Sequence, residues 1–242
     1  MTGIASANTV AEVARLIGDA ARANMLLALM GGQALAAGEL ALRAGITAQT
    51  ASGHLAKLVD VRLVAVEKQG RHRYYRLASP EIADVLHALM SVAAAGPARH
   101  RPPGPRDAAL RLARTCYDHM AGRLAVAVAD ALQARGHVAL SEGAALVTDE
   151  GRRFFCDFGL EIEGAGPSRR ALCRACLDWS ERRPHIAGRL GAALLDRVLE
   201  LGWVARVPDG RALAITRAGE RGFEAAFGLS PGWREPQVPR SS

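Results

Sequence analysis

Cys116, His119, Cys173, Cys176 and His185 are the residues of this chain whose types and spacing suit metal or thiol chemistry. Cys116-Tyr117-Asp118-His119 and Cys173-Arg174-Ala175-Cys176-Leu177-Asp178 with the later His185 share one order, Cys-x-Asp and then His-x-Ala-Gly, with six extra residues in the second copy. Read as one helical turn, Cys173 and Cys176 offer two thiolates to a single soft ion such as zinc, with Cys116 and a histidine to complete it. The nearby Arg169, Arg170, Arg174, Arg182 and Arg183 predict lowered thiol pKa values, which favours metal binding or oxidation. Packing is the competing and simpler reading, because free cysteine is commonly an inert buried residue. Cys156, between Phe154-Phe155 and Asp157-Phe158, is expected in the core.

A second group of residues suits nucleic acid. Gly38 to Gly45 predicts a short amphipathic helix that ends on a left-handed glycine. Thr47 is placed to cap a second helix, along which Ala51, Leu55 and Leu58 recur at helical spacing and face inward. Gln49, Thr50, Gly53, His54 and Lys57 then fall on the outer face, within reach of base edges in a major groove, and Ser52 sits at its margin near sugar and phosphate. Leu63 to Leu77 alternates as two strands about Gly70, with Lys68, Arg71, His72 and Arg73 at the tip for phosphate contact or minor-groove entry. The order helix, turn, helix, charged hairpin predicts a winged helix-turn-helix.

Residues from about 10 to 92 resemble the ArsR/SmtB family of bacterial transcriptional repressors. Gly18-Asp19-Ala20-Ala21-Arg22 and the helix after it are similar to the family's "GDxxRxxIL" segment, Ser52-Gly53-His54-Leu55 to its "SxHL" recognition helix, and Gly70 to Tyr75 to its wing. The resemblance implies a homodimer paired through its first and fifth helices and a palindromic double-stranded DNA operator. It does not extend to the family's metal sites. Glu39-Leu40-Ala41-Leu42-Arg43 stands where metal-sensing members carry Cys-x-Cys, and Asp84 and His87 are spaced differently from the fifth-helix ligands. An inducer is therefore expected to act on the C-terminal half, and no residue pattern names it.

The rest of the chain sets the frame. A net charge of +7 and a pI near 9.9 favour a polyanionic partner. Without a long apolar run or a basic-then-apolar leader pattern, a soluble cytoplasmic protein with no membrane partner is expected. Four prolines within Pro97 to Pro105 predict a linker over 94–106, between a DNA-binding and dimerisation domain at 1–93 and a C-terminal domain at 107–242. That second domain repeats itself. His119–Val138 and His185–Val204 are identical at nine of twenty positions, where chance gives about 2. Each copy is expected to run helix, strand, turn, strand, helix, and to support sensing or dimerisation. The fold class is mainly α with small β-wings (α+β), a winged helix-turn-helix plus this pseudo-repeat. Asp118, Asp130, Asp178 and Asp196 read as solvated helix residues or local ion-pair partners. No phosphate-binding glycine loop, nucleophile elbow or metalloprotease helix is present, which argues against an enzyme. A non-sensing architectural DNA-binding or partner-docking protein is the alternative to a ligand-relieved repressor.

Overall fold

The computed structural model describes residues 6–95, 105–141, 144–162, 170–208 and 210–235. The chain divides into two compact units between Leu89 and Met90. In the first, α1 (Ala7–Ile17), α2 (Ala20–Leu29), a two-residue strand β1 (Leu35–Ala36), α3 (Ala37–Ala44), α4 (Ala48–Asp60), β2 (Val64–Gln69) and β3 (His72–Leu77) precede α5 (Pro80–Ala95), whose last turns fall beyond the division. The helix starts are set by side chains that satisfy otherwise orphaned N–H groups. Ser6 accepts from Thr9 N, Asp19 from Arg22 N and Thr47 from Thr50 N. Gly45, at φ 68°, takes the left-handed position that closes α3 and lets α4 leave at an angle. Leu26, Leu40, Ala51, Leu55 and Leu58 meet in the core of this unit, each no more than 1% exposed.

The hairpin β2–β3 pairs from Val64↔Leu77 to Gln69↔His72, with Gly70 at φ 59° in the turn. β1 adds a third strand through Leu35↔Tyr75 and Ala36↔Tyr74. That strand is a finding the sequence pattern did not predict.

The second unit opens with α6 (Pro105–Leu112), whose proline stands where a helix needs no N–H. The predicted linker residues 96–104 lie outside the described residues, and α5 runs two residues beyond the expected boundary at 93. Then come β4 (Arg114–Cys116), β5 (His119–Ala121), α7 (Arg123–Ala134), β6 (Val138–Ser141), β7 (Ala144–Val147) and α8 (Asp149–Asp157). The same order recurs as β8 (Arg174–Leu177), β9 (Pro184–Ala187), α9 (Gly188–Glu200), β10 (Val204–Arg206), β11 (Leu213–Ile215) and α10 (Arg217–Phe227), closed by a 3₁₀ turn at Pro231–Arg234. Each copy is hairpin, helix, hairpin, helix. The expected order helix, strand, turn, strand, helix is present as α7–β6–β7–α8 and α9–β10–β11–α10, and a β-hairpin that was not expected, β4–β5 or β8–β9, precedes the helix of each copy.

Local devices repeat with the elements. Thr148 and Thr216 each cap the helix that follows, accept at 3.0 Å from the N–H of Gly151 or Gly219, and donate at 2.7 Å to the carbonyl of Gly136 or Gly202. A Cβ on Gly151 would stand 2.0 Å from the His137 carbonyl oxygen, and one on Gly219 would stand 2.0 Å from that of Trp203. The two copies also exchange bulk. His137 stacks on Phe154 with centroids 4.6 Å apart, whereas the larger Trp203 fills the equivalent space and leaves room only for Gly222. The helices cross over: α7 packs on β9 of the second copy and α9 on β5 of the first. Leu124, Leu190, Phe155, Phe223 and Phe227 form part of their shared core. Among the described residues no helix is long and apolar enough to cross a membrane.

Candidate nucleic-acid interface and Cys-His cluster

Helix α4 presents two faces. Ala51, Leu55 and Leu58 are buried as the spacing predicts, and Thr47, Gln49, Thr50, Ser52, Gly53 and Lys57 are exposed. Thr47 and Thr50 hydroxyls bond each other at 2.9 Å, and Ser52 donates to Ala48 O at 2.9 Å, so its acceptor lone pairs face outward. His54 stands apart from the others. It is half-buried, and its Nδ1 lies 3.1 Å from Nη1 of the buried Arg22, which also donates to Leu16 O and Arg15 O. One ring edge of His54 is thus engaged with the α1–α2 junction, which distinguishes it from the outward set.

At the wing tip Lys68, Gln69, Arg71, His72 and Arg73 are exposed. Glu67 pairs with Arg76 across the hairpin, and among the described residues Lys68, Arg71 and Arg73 have no carboxylate partner.

In the second unit the two leading hairpins bring four ligand-type side chains together. Cys116 and His119 are cross-strand partners in β4–β5, and Cys176 and His185 are cross-strand partners in β8–β9. One ligand atom from each lies within 4.8 Å of all the others. The two imidazoles stack with centroids 5.1 Å apart, and Cys116, His119 and His185 are buried. A hydrogen bond from Cys176, aided by the charge of His119, outweighs burial and holds the Cys116 thiol well below its usual range. Burial would depress His119, but the Cys116 thiolate and the Asp118 carboxylate raise it to about 9. Burial lowers His185.

Carboxylates stand behind both histidines. Asp118 Oδ1 is 3.2 Å from His119 Nδ1, and Arg170 holds the other oxygen of Asp118 at 2.5 Å. Asp178 Oδ2 is 3.9 Å from His185 Nδ1. Asp178 is not a solvated helix residue. Fully buried, it accepts from Arg114 Nη2 at 2.8 Å and Gly122 N at 2.6 Å on one oxygen, and from Ser180 N and Oγ and Glu181 N on the other. Burial works against the charge, but Arg114, with His185 and the Gly122 N–H, holds this carboxyl well below the usual carboxylate range.

Residues 17–67 match the family model of a helix-turn-helix domain. Over 215 residues the chain is 45% identical to YdfF, an HTH-type transcriptional regulator of Bacillus subtilis (strain 168), covering 89% of this chain and 95% of that one. The chain belongs to the HTH-type transcriptional regulators. A second relative, the HTH-type transcriptional regulator KmtR of Mycobacterium tuberculosis (strain ATCC 25618 / H37Rv), is 35% identical over 99 residues, 39% of this chain and 75% of KmtR. Among solved structures, a homodimeric winged helix-turn-helix DNA-binding domain from Mycobacterium bovis, Mb0332, named as a possible ArsR-family regulator, is 26% identical. It covers 38% of this chain and 90% of its own, at a TM-score of 0.33. These relatives are regulators rather than enzymes, and the likeness to YdfF is too long to be confined to the winged unit of this HTH-type regulator.

Several side chains of the regulator lie elsewhere than the sequence suggested. Cys173 and Cys176 are not on a helix. Cys173 precedes β8, Cys176 lies within it, and three residues of extended chain turn alternate side chains to opposite faces. Cys173 packs into the hydrophobic core, where burial pushes its thiol up to about 11. The arginines do not set the thiol chemistry: Arg170 is engaged by Asp118 and Arg183 by Asp130, Arg174 and Arg182 are exposed, and Arg169 lies outside the described residues. Cys156 is exposed, because Phe155 rather than its neighbour takes the inward face of α8.

Proposed function

We propose that this regulator is a cytoplasmic homodimeric repressor. It reads a palindromic operator with Gln49, Thr50, Gly53 and Lys57 in the major groove, sets Thr47 at the start of α4 and Ser52 at the margin of that face near sugar and phosphate, and grips the backbone with Lys68, Arg71, His72 and Arg73. A metal, thiol or other signal received in the C-terminal half relieves it. The observation that carries this reading is the pairing of an outward polar face on α4 with a wing whose tip cations, Lys68, Arg71 and Arg73, have no carboxylate partner among the described residues. His54, with Nδ1 on Arg22, serves to fix α4 against the α1–α2 junction rather than to lead the base contacts. Homodimerisation is supported by an apolar row on α5, where Val85, Leu89 and Val92 stand exposed at helical spacing, and by exposed Val10 on α1.

The test is fluorescence anisotropy of labelled duplex from upstream of the regulator's own gene against a shuffled duplex, with reduced, metal-free protein. A preference of roughly 10³ or more for the upstream DNA, at two chains per site, is expected. Addition of the signal should then release it. Equal affinity for both duplexes would instead identify an architectural binder, and absence of binding to either would overturn the reading.

Gly53→Ala separates folding from DNA reading. Gly53 lies inside α4, and a Cβ there meets nothing within 4 Å. The substitution should raise the stability of the winged unit by about 0.5–1 kcal/mol. The added methyl on the face toward the groove should lower operator affinity roughly tenfold. Thermal unfolding and anisotropy read the two effects separately, and an unchanged affinity removes Gly53 from the interface.

A further inference from the structure

We propose that Cys116, His119, Cys176 and His185 hold one soft divalent ion of the zinc class in a closed four-coordinate site, half of it supplied by each copy of the repeat. The inference deepens the regulatory reading above, on which it rests only for what loading does to DNA binding.

The donor set comes first. Two thiolates and two imidazoles are the ligands of tetrahedral zinc sites and disfavour magnesium or calcium, which take oxygen. With metal–ligand bonds of about 2.0–2.3 Å, the ligand atoms of a tetrahedral site stand roughly 3.3–3.8 Å apart. The four here already lie within 4.8 Å of one another, so closure on an ion asks for a contraction of roughly 1 Å.

The framework is the second support. Each hairpin sets its cysteine opposite its own histidine, and β5 packs beside β9, so the two cross-strand pairs face each other. Gly191 of α9 makes that approach feasible: a Cβ there would meet the Ile186 carbonyl oxygen at 2.6 Å and the Cβ of His119 at 3.0 Å.

Ring orientation is the third. Asp118 takes His119 Nδ1, which leaves Nε2 buried and without a hydrogen-bond partner among the described residues, as a metal ligand requires. Asp178 lies behind His185 at a longer distance, 3.9 Å from Nδ1, with that oxygen held by Arg114 and Gly122. A carboxylate behind a ligating imidazole fixes its tautomer and raises its basicity. The repeated Cys-x-Asp order thus sets a ligand and then a carboxylate beside the histidine in both copies, bonded to it in the first and 3.9 Å from it in the second. With four protein ligands and three of them buried, no position is left for water, so the ion clamps the two copies and does not catalyse.

Cobalt(II) is the probe. The full-length protein, reduced and stripped with chelator, is titrated with cobalt while the thiolate-to-cobalt absorption and the visible bands of tetrahedral cobalt are followed. Saturation at one ion per chain, with displacement by one equivalent of zinc, is expected. Cys116→Ser and Cys176→Ser should each weaken cobalt binding by roughly 100-fold or more, and Cys173→Ser should leave it unchanged. Far-UV dichroism of each variant identifies loss through unfolding, and His119→Gln, which removes a ligand and retains both thiols, gives a second reading of the same site. No saturable binding by the parent protein, a featureless or octahedral cobalt spectrum, or sensitivity to Cys173→Ser in a folded protein would overturn the proposal. DNA binding is measured separately on the same samples, so cobalt can fail with operator binding intact, and the reverse result leaves the metal site standing.

Discussion

Asp178→Ala is expected to destabilise the C-terminal unit by about 3–5 kcal/mol, the range for breaking a buried ion pair by removing one partner. Arg114 and Asp178 are both fully buried, and the guanidinium also lies 4.5 Å from the Trp179 ring centroid. Without the carboxylate, a charge remains in the interior with, among the described residues, Leu110 O and Ser180 Oγ to receive its hydrogen bonds. The substitution also strips acceptors from the N–H groups of Gly122, Ser180 and Glu181, which are the start of α7 and the turn between β8 and β9. Asp178 therefore joins the two copies of the repeat, and its loss is felt in both. Denaturant unfolding followed by dichroism at neutral pH measures the effect. A loss below about 1 kcal/mol would mean that water reaches Arg114 and that the pair is not the joint described. Asp178→Asn should fall between the parent and the alanine variant, since it retains acceptors for the turn but not the charge for Arg114.

The winged unit was legible because its signals are local. Thr47, Gly45 and Gly70 act within three or four residues of themselves, and the burial of Ala51, Leu55 and Leu58 follows from helical spacing alone. The strand β1 was not, since two residues show no period and Leu35 and Ala36 are strand only because Tyr74 and Tyr75 lie beside them. In the second unit the repeat was visible as sequence identity, and the Thr caps followed from it. The first of the two hairpins that carry the Cys-His cluster was hidden for a physical reason. All six residues of β4 and β5 are buried, so the alternation that marks a half-exposed strand is absent. At β8, which is not buried throughout, the spacing of three between Cys173 and Cys176 also matches one helical turn, and Cys173 is drawn into a site that the extended chain turns it away from. Four of the five sulfur and imidazole candidates do converge. What the spacing concealed is that the pairing runs across strands, Cys116 with His119 and Cys176 with His185.

Alanine at both Arg71 and Arg73 is expected to weaken binding to every duplex by a common factor, about 60-fold at 0.1 M salt if each side chain neutralises one phosphate. The argument is electrostatic. A phosphate contact releases a counterion on binding, so the loss of two should reduce the slope of log affinity against log salt by about 2. Sequence preference should remain, because the outward residues of α4 are untouched. Folding should also remain, since both arginines are exposed and the hairpin is held by its backbone ladder and by Glu67 with Arg76. Anisotropy titrations of the upstream and shuffled duplexes between 0.05 and 0.3 M salt, roughly the span over which such slopes are resolved, give both quantities from one set of curves. An unchanged slope would show that the tip does not touch the backbone. A loss confined to the upstream duplex would assign the arginines to base reading in the minor groove, where their charge selects a narrow groove instead of gripping any duplex alike.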